Sequence, residues 1–152
     1  MINQTEITTE ARKEWMGLLA RAPDDALMRL WDGIQDRPSF EWLRSPEVGG
    51  VMVRGRTGAT GAPFNLGEMT VTRCSVVLQD GTVGHGYVQG RSKPKAEAAA
   101  LIDALMQTSS ADDLQAQLLN PLRQQMQAVR SARAAKAAAT KVEFFTLVRG
   151  ED

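Results

Sequence analysis

The sequence predicts an α+β protein, and three observations support this fold class. Apolar residues recur at helical spacing through the first 45 residues. From Gly49 to Gly90 the composition changes to Val, Thr and Gly, which is typical of strands joined by tight turns. Helical patterns return after Ser92. The predicted order is N-terminal helices, a central antiparallel sheet with an Asp-Gly hairpin, a long C-terminal helical segment and a final strand.

Three short helices account for the predicted helical segment 1–47. Thr8 or Thr9 is placed to cap the first helix, because a side-chain oxygen there satisfies a free backbone N–H. Pro23 suits the first position of the second helix. A shorter helical piece is expected around residues 40–43, ending before the next proline.

The predicted sheet, 48–91, is built around Asp80-Gly81, a dipeptide typical of a two-residue type I′ turn. Such a loop places Leu78 opposite Val83 and Cys74 opposite Tyr87, and these four residues then share the core face. Gly84 and Gly86 fall on the other face of the hairpin. Glycines there leave room for close approach by a helix or another chain.

Helices are predicted again over 92–140, followed by a terminal strand over 141–149. Ser92 caps the first helix, and Ser110 begins a capping box for a long one. Pro121 is expected to kink or divide that long helix. The final strand joins either this chain's sheet or a neighbour's. With no long linker, residues 1–152 form one domain.

The long helix is basic and rich in small residues. From residue 122 to 141 it has five basic residues and no acidic one. Two interpretations remain open: the helix lies against a partner, or it is a solvated helix rich in alanine because alanine has high helix propensity.

Composition limits the classes of function. Basic and acidic residues number 18 each, so the overall charge singles out neither nucleic acid nor a membrane. One histidine, His85, and one cysteine, Cys74, leave little material for an intrinsic metal site or a Cys/His nucleophile pair. His85 is expected to be a satisfied sheet residue and Cys74 a small buried one. No membrane span or secretory signal is visible, which favours a cytoplasmic protein.

The most specific segment is RGRTGATGAPFNLGEMTVTRC, from Arg54 to Cys74. It combines flexible glycines with arginines, whose guanidinium groups match phosphate or phosphonate oxygens. The same arginines are equally suited to pair with Glu68 or with acidic residues of a partner, and Asn65 suits a turn. The candidate anion-binding or interface residues are Arg54, Arg56, Asn65, Glu68, Arg73 and Arg91.

This segment, continued by GHGYVQGRS and by KAEAAALIDALMQ, resembles the PhnG family of the bacterial carbon–phosphorus lyase system. The resemblance covers essentially the whole chain. It implies a subunit of a core complex with PhnH, PhnI and PhnJ, in two copies of each. It also implies a reaction, shared with PhnL, in which methylphosphonate displaces adenine from ATP, with magnesium, to give ribose 1-methylphosphonate 5-triphosphate.

The resemblance carries no established catalytic residue onto this chain and implies no intrinsic cofactor or metal. A structural or accessory role is therefore expected, with the arginines as interface anchors. Two alternatives stay open. A free-standing phosphate- or nucleotide-binding protein would need a general base that only Glu68 and scattered acids supply. A DNA-binding regulator is disfavoured because the second helix is acidic.

Overall fold

The computed structural model describes residues 8–56 and 63–149, and the side chains of residues 8–55 and 67–141. Two helices precede a three-stranded antiparallel sheet, and further helices follow it, so the predicted α+β class is confirmed. In chain order the elements are α1 (Thr9–Arg21), α2 (Asp24–Asp32), β1 (Phe40–Arg56), β2 (Pro63–Leu78), β3 (Val83–Gln89), α3 (Lys93–Leu105), α4 (Ala111–Leu114), a π-helical turn (Gln115–Leu119) and α5 (Asn120–Arg149).

Local capping explains where two of the helices begin. The hydroxyl of Thr8 accepts a hydrogen bond from the N–H of Ala11 at 3.1 Å, and the hydroxyl of Ser92 accepts from Lys95 at 3.2 Å. Both caps match the sequence prediction. Pro23 lies one position earlier than predicted, just before α2.

The sheet has the order β1-β2-β3, and β3 covers only part of β2. β1 pairs with β2 from Phe40 opposite Leu78 to Arg56 opposite Pro63, whereas β3 pairs with β2 only from Val71 to Val77. Residues 50–56 and 63–70 therefore form a two-stranded extension, called the β-ribbon below.

The helical piece predicted over residues 40–43 is wrong, since β1 already begins at Phe40. Pairing with β2 overrides the local pattern, because Phe40 and Trp42 lie opposite Leu78 and Val76. The two aromatic rings meet edge to face at 5.1 Å. Register irregularities on both sides of Arg44 accommodate the nearby proline, which an edge strand tolerates. The sheet thus starts at residue 40 rather than 48.

The hairpin lies at Asp80-Gly81 as predicted, but its loop has three residues rather than two. The N–H of Leu78 donates to Thr82 and the N–H of Gly81 donates to Leu78. Gly81 has a φ of 89°, and no described non-glycine residue has positive φ, so the type I′ turn is excluded.

One extra loop residue shifts the register and exchanges the faces. Val83 lies opposite Val77, and Gly84 lies opposite Val76. The predicted assignment of Val83 and Tyr87 to the core face is therefore wrong: Tyr87 is exposed on the other face.

The glycines do permit close approach, as predicted, but on the core face and by α3 of the same chain. A Cβ at Gly84 would overlap the carbonyl oxygen of Ala100, and a Cβ at Gly86 would overlap that of Ala96. Helix α3 therefore rests directly on the strand.

The core lies between this face of the sheet and the helices. Its larger members come from α1, α2, β2, β3, α3 and the helical segment after residue 111. They include Trp15, Leu18, Leu19, Leu27, Trp31, Val76, Val88, Leu101, Ile102, Leu118, Leu119 and Leu122.

The predicted terminal strand over 141–149 is wrong, because α5 continues to Arg149. Each residue added to an established helix gains a hydrogen bond, which outweighs a short β-prone run. Because these residues are helical, the predicted pairing of a terminal strand with a neighbouring chain's sheet is wrong as well. Ser110 makes no side-chain capping bond, so the predicted capping box is also absent.

The helical stretch is divided near Pro121, as one of the two predicted alternatives has it, but by a π-helical turn between α4 and α5 rather than by a break in the chain's helical path. The π-helical turn lies immediately before Pro121, and the N–H of Asn120 bonds five residues back to Gln115. A π-helical turn changes the backbone pairing where the proline ring removes a donor and crowds the preceding turn.

Candidate functional site

The predicted arginine residues are strung along the sheet rather than gathered at one point. Arg54 lies opposite Asn65 and Arg56 opposite Pro63, at the outer end of the β-ribbon. The side chains of Arg56 and Asn65 lie outside the described residues. Glu68 lies opposite Met52, where its carboxylate occupies the space above Gly50.

Arg73 lies far from the outer end of the β-ribbon. It follows Asn65 by eight strand positions, which corresponds to about 27 Å. Its neighbours across the sheet are Glu47 and Tyr87, and Arg91 follows β3. The structure therefore does not unite the six predicted residues in one pocket.

The described members of the predicted set are exposed, and none of them forms an ion pair with another described side chain. Four ion pairs join described side chains, and none of them includes Arg54, Glu68, Arg73 or Arg91. Pairing between the arginines and Glu68 within the chain is thus not observed for the described side chains.

The sheet face away from the helices carries a row of polar residues on neighbouring strands. The predicted register did not place these residues opposite one another. Ser75 lies opposite both Arg44 and His85. The Ser75 hydroxyl is 2.9 Å from Nδ1 of His85. The next row contains Arg73 beside Tyr87. This surface offers hydroxyl, imidazole and guanidinium groups to whatever contacts it.

A buried carboxylate, Asp103, joins three elements and was not singled out from the sequence. It is fully buried and accepts four hydrogen bonds. Two come from Nε and Nη2 of Arg12 at 3.1 and 2.8 Å, and one from Nε1 of Trp15 at 2.9 Å. The fourth comes from the backbone N–H of His85 at 2.9 Å. The hydrogen bond to Asp103 raises the pKa of Arg12, so the guanidinium stays protonated.

Asp103 also protects an edge of the sheet. The His85 N–H that it accepts belongs to β3, an outer strand. Gln107 supports it by donating to the carbonyl of Val83 at 2.9 Å. The sequence signal was an acid flanked by apolar residues in α3, a position where burial requires a hydrogen-bonding partner. Edge groups satisfied in this way are unavailable for pairing with another chain.

Lys95 forms a second link between elements, with its own side chain buried and its partner at the surface. Its side chain is 3% exposed, and its Nζ lies 3.1 Å from the carboxylate of Asp24. This contact ties the start of α3 to the start of α2.

Cys74 is a small core residue, as predicted. Its thiol donates to the carbonyl of Ala96 at 3.1 Å. Burial raises the pKa of Cys74 to about 11. The thiol is therefore protonated near neutral pH and is a poor nucleophile.

A cleft of about 420 Å³ lies between the segment after α2 and the beginning of α4. Its polar lining includes Asp36 and Asp113. Two carboxylates repel phosphate, so this cleft is poorly suited to a polyanion. Within residues 8–56 and 63–149, His, Cys, Asp and Glu nowhere gather in a group of three that fits a metal ion.

Two elements extend away from the core and expose apolar side chains. β1 exposes Leu43, Val48 and Met52, and its outer edge pairs with no described strand. α5 is exposed at every residue from 127 to 141. Its base is held by Arg123, whose Nε and Nη2 each lie 2.7 Å from the carboxylate of Glu14. Exposed apolar surfaces of this kind are typical of sites that contact another protein.

None of the described helices is both long and apolar enough to cross a membrane.

Comparison with known proteins identifies the family. A family profile described as "Phosphonate metabolism protein PhnG" matches residues 10–150. A curated relative from Rhizobium meliloti, named alpha-D-ribose 1-methylphosphonate 5-triphosphate synthase subunit PhnG, is 46% identical over 141 residues. The alignment covers 93% of this chain and 90% of the relative. On both grounds, the chain belongs to the PhnG family of phosphonate metabolism proteins.

Proposed function

We propose that this chain is a subunit of a complex that synthesises ribose 1-methylphosphonate 5-triphosphate, and that it acts there in assembly rather than in bond making. The observation that carries the proposal is the 46% identity, along nine-tenths of both chains, to a protein named as a subunit of that synthase.

The exposed surfaces support an assembly role. A two-stranded ribbon is marginally stable in water, because it lacks a third strand or a helix to cover it. The β-ribbon nevertheless presents Met52 at 55% exposure. Helix α5 likewise extends over residues 127–141 with every side chain exposed. Both elements would bury surface against a neighbouring subunit.

The distribution of polar groups favours an accessory role over a catalytic one. The six predicted residues spread along the sheet, and Cys74 is buried and protonated. Arg54, Arg73 and Arg91 are well suited to act as interface anchors, since arginine pairs with carboxylates through two parallel hydrogen bonds.

The resemblance also suggests the neighbours. We expect PhnH, PhnI and PhnJ in a core complex with two copies of each subunit, and PhnL as a functional partner. ATP with magnesium would be a substrate of the complex, methylphosphonate would replace adenine, and the reaction would take place in the cytoplasm.

Co-expression with the H, I and J subunits tests this proposal. Size-exclusion chromatography with mass determination should show the chain in one large complex at fixed stoichiometry. The chain eluting alone and folded would contradict an assembly role. Tight ATP binding by that isolated chain would then favour a free-standing nucleotide-binding protein.

A further inference from the structure

The face of α5 that packs on the core continues beyond the core as a basic surface. Leu122 is fully buried, and Met126 packs partly buried against the core. Val129 comes next on the same face and is 52% exposed. Arg133 and Lys136 then follow at helical spacing, and both are exposed. The same helix face is thus apolar where it packs on the core and basic where it extends beyond the core.

The charge of this stretch has one sign. Residues 120–141 contain five basic residues and no acidic one. Arg123 is already bound to Glu14. The other four are in none of the ion pairs among described side chains: Arg130, Arg133, Lys136 and Lys141.

We propose that residues 127–141 of α5 dock against an acidic surface of a partner subunit, with Val129, Arg130, Arg133 and Lys136 facing it. This inference rests on the proposed role as a subunit. Charge complementarity selects the occupant, because carboxylates on the partner would pair with the basic residues of this face. Val129 adds an apolar contact that continues the core stripe.

Other occupants fit this surface less well. A second copy of the same helix would bring like charges together, which is strongly unfavourable. Nucleic acid would match the basic residues, but its phosphates would make no favourable contact with the apolar Val129 beside them. The chain as a whole also has no net charge.

A charge-reversal variant in the co-expressed complex tests the docking. Arg130→Glu, Arg133→Glu and Lys136→Glu together reverse the proposed face. Ser131→Glu, Ala135→Glu and Ala138→Glu add three glutamates on the opposite face of the same helix. Glutamate is a good helix former, and circular dichroism checks that both variants keep their helix.

The reversal should weaken binding of this chain to the rest of the complex by about a hundredfold or more, measured by dilution and mass determination. The control should change it by less than about threefold. The docking would be overturned if the reversed chain stayed in the complex, or if both variants lost binding equally. Dissociation of the wild-type complex by nuclease would overturn it as well. If the wild-type chain forms no complex, the proposed function itself is contradicted, and with it the basis of the docking.

Discussion

At the scale of single residues, Asp103 connects α1, α3 and β3 through its four hydrogen bonds. Asp103→Ala leaves Arg12, the Trp15 indole and the His85 N–H without their acceptor. Removing one partner of a buried ion pair costs about 3–5 kcal/mol of the free energy of unfolding. Denaturant unfolding of the purified chain measures this loss.

Asp32→Ala provides the control for Asp103→Ala. Asp32 pairs with Arg37 at 3.3 Å on the surface, and such a pair contributes about 0–1 kcal/mol. Equal losses in the two variants would show that the Asp103 network adds nothing beyond an exposed ion pair.

Cys74 yields a prediction on pH dependence, because it is the chain's one cysteine. Its pKa is raised by burial to about 11, so only a small fraction is thiolate at pH 8. Alkylation by iodoacetamide should be slow at pH 8 and should accelerate as the pH rises towards 11. The urea-unfolded chain, with an ordinary thiol pKa, serves as the fast reference. Equal rates for folded and unfolded chains at pH 8 would show that Cys74 is accessible and unperturbed.

At the scale of elements, the packing of α3 on β3 depends on two glycines. Gly86→Ala places a methyl group against the backbone of Ala96, which cannot retreat without moving the helix. We expect a loss of about 1–3 kcal/mol in the free energy of unfolding, as for other overpacked cores. Thermal or denaturant unfolding measures it.

Gly49→Ala is the matched control, since a Cβ there meets no atom within 4 Å. It should leave the free energy of unfolding within about 1 kcal/mol of the wild type. A Gly86 variant as stable as this control would mean that α3 does not rest on the strand.

Local signals predicted several elements well. The caps at Thr8 and Ser92 are local hydrogen bonds, and the sequence located both. The Asp80-Gly81 hairpin was located as well, but not its loop length. That one residue decides which face of β3 is buried, and it depends on how Gly84 and Gly86 fit beneath α3 rather than on the turn dipeptide.

Elements decided by distant contacts were predicted incorrectly. The segment from Phe40 has an apolar spacing compatible with a helix, yet pairing with β2 makes it a strand. Residues 141–149 favour a strand locally, yet they continue a helix begun some 20 residues earlier. For Phe40 the deciding contact is with β2, which lies far along the chain. For residues 141–149 the preceding helix decides, because each added residue extends an existing hydrogen-bond ladder.

At the scale of the whole molecule, the candidate site could not be located from the sequence because closeness along the chain was taken for closeness in space. Residues 63–74 run extended along β2, so Cys74 lies far from Asn65 and from Arg54, which is opposite Asn65. The sequence also gave no means of pairing Arg44 with Ser75 and His85, which depends on strand register. A polar sheet face and two projecting elements are surfaces suited to a subunit of an assembly.

Arg73 provides the prediction at this scale, since it lies exposed on the open sheet face near the middle of β2. If it anchors a neighbouring subunit, Arg73→Ala should lower synthase activity by weakening assembly, by about tenfold or more in affinity. The same outcome is expected for Arg56→Ala, whose side chain lies outside the described residues. Activity and complex mass are measured on the same preparations.

Arg29→Ala is the control, because Arg29 is exposed on α2 and belongs to none of the ion pairs among described side chains. It should leave both readouts unchanged. Lost activity in an intact complex would instead place Arg73 at the substrate, because an arginine that binds the triphosphate contributes to turnover without holding subunits together. Full activity in an intact complex would exclude both roles. Comparing mass with activity therefore separates an anchor from an anion-binding group, the two interpretations that the arginine pattern alone leaves open.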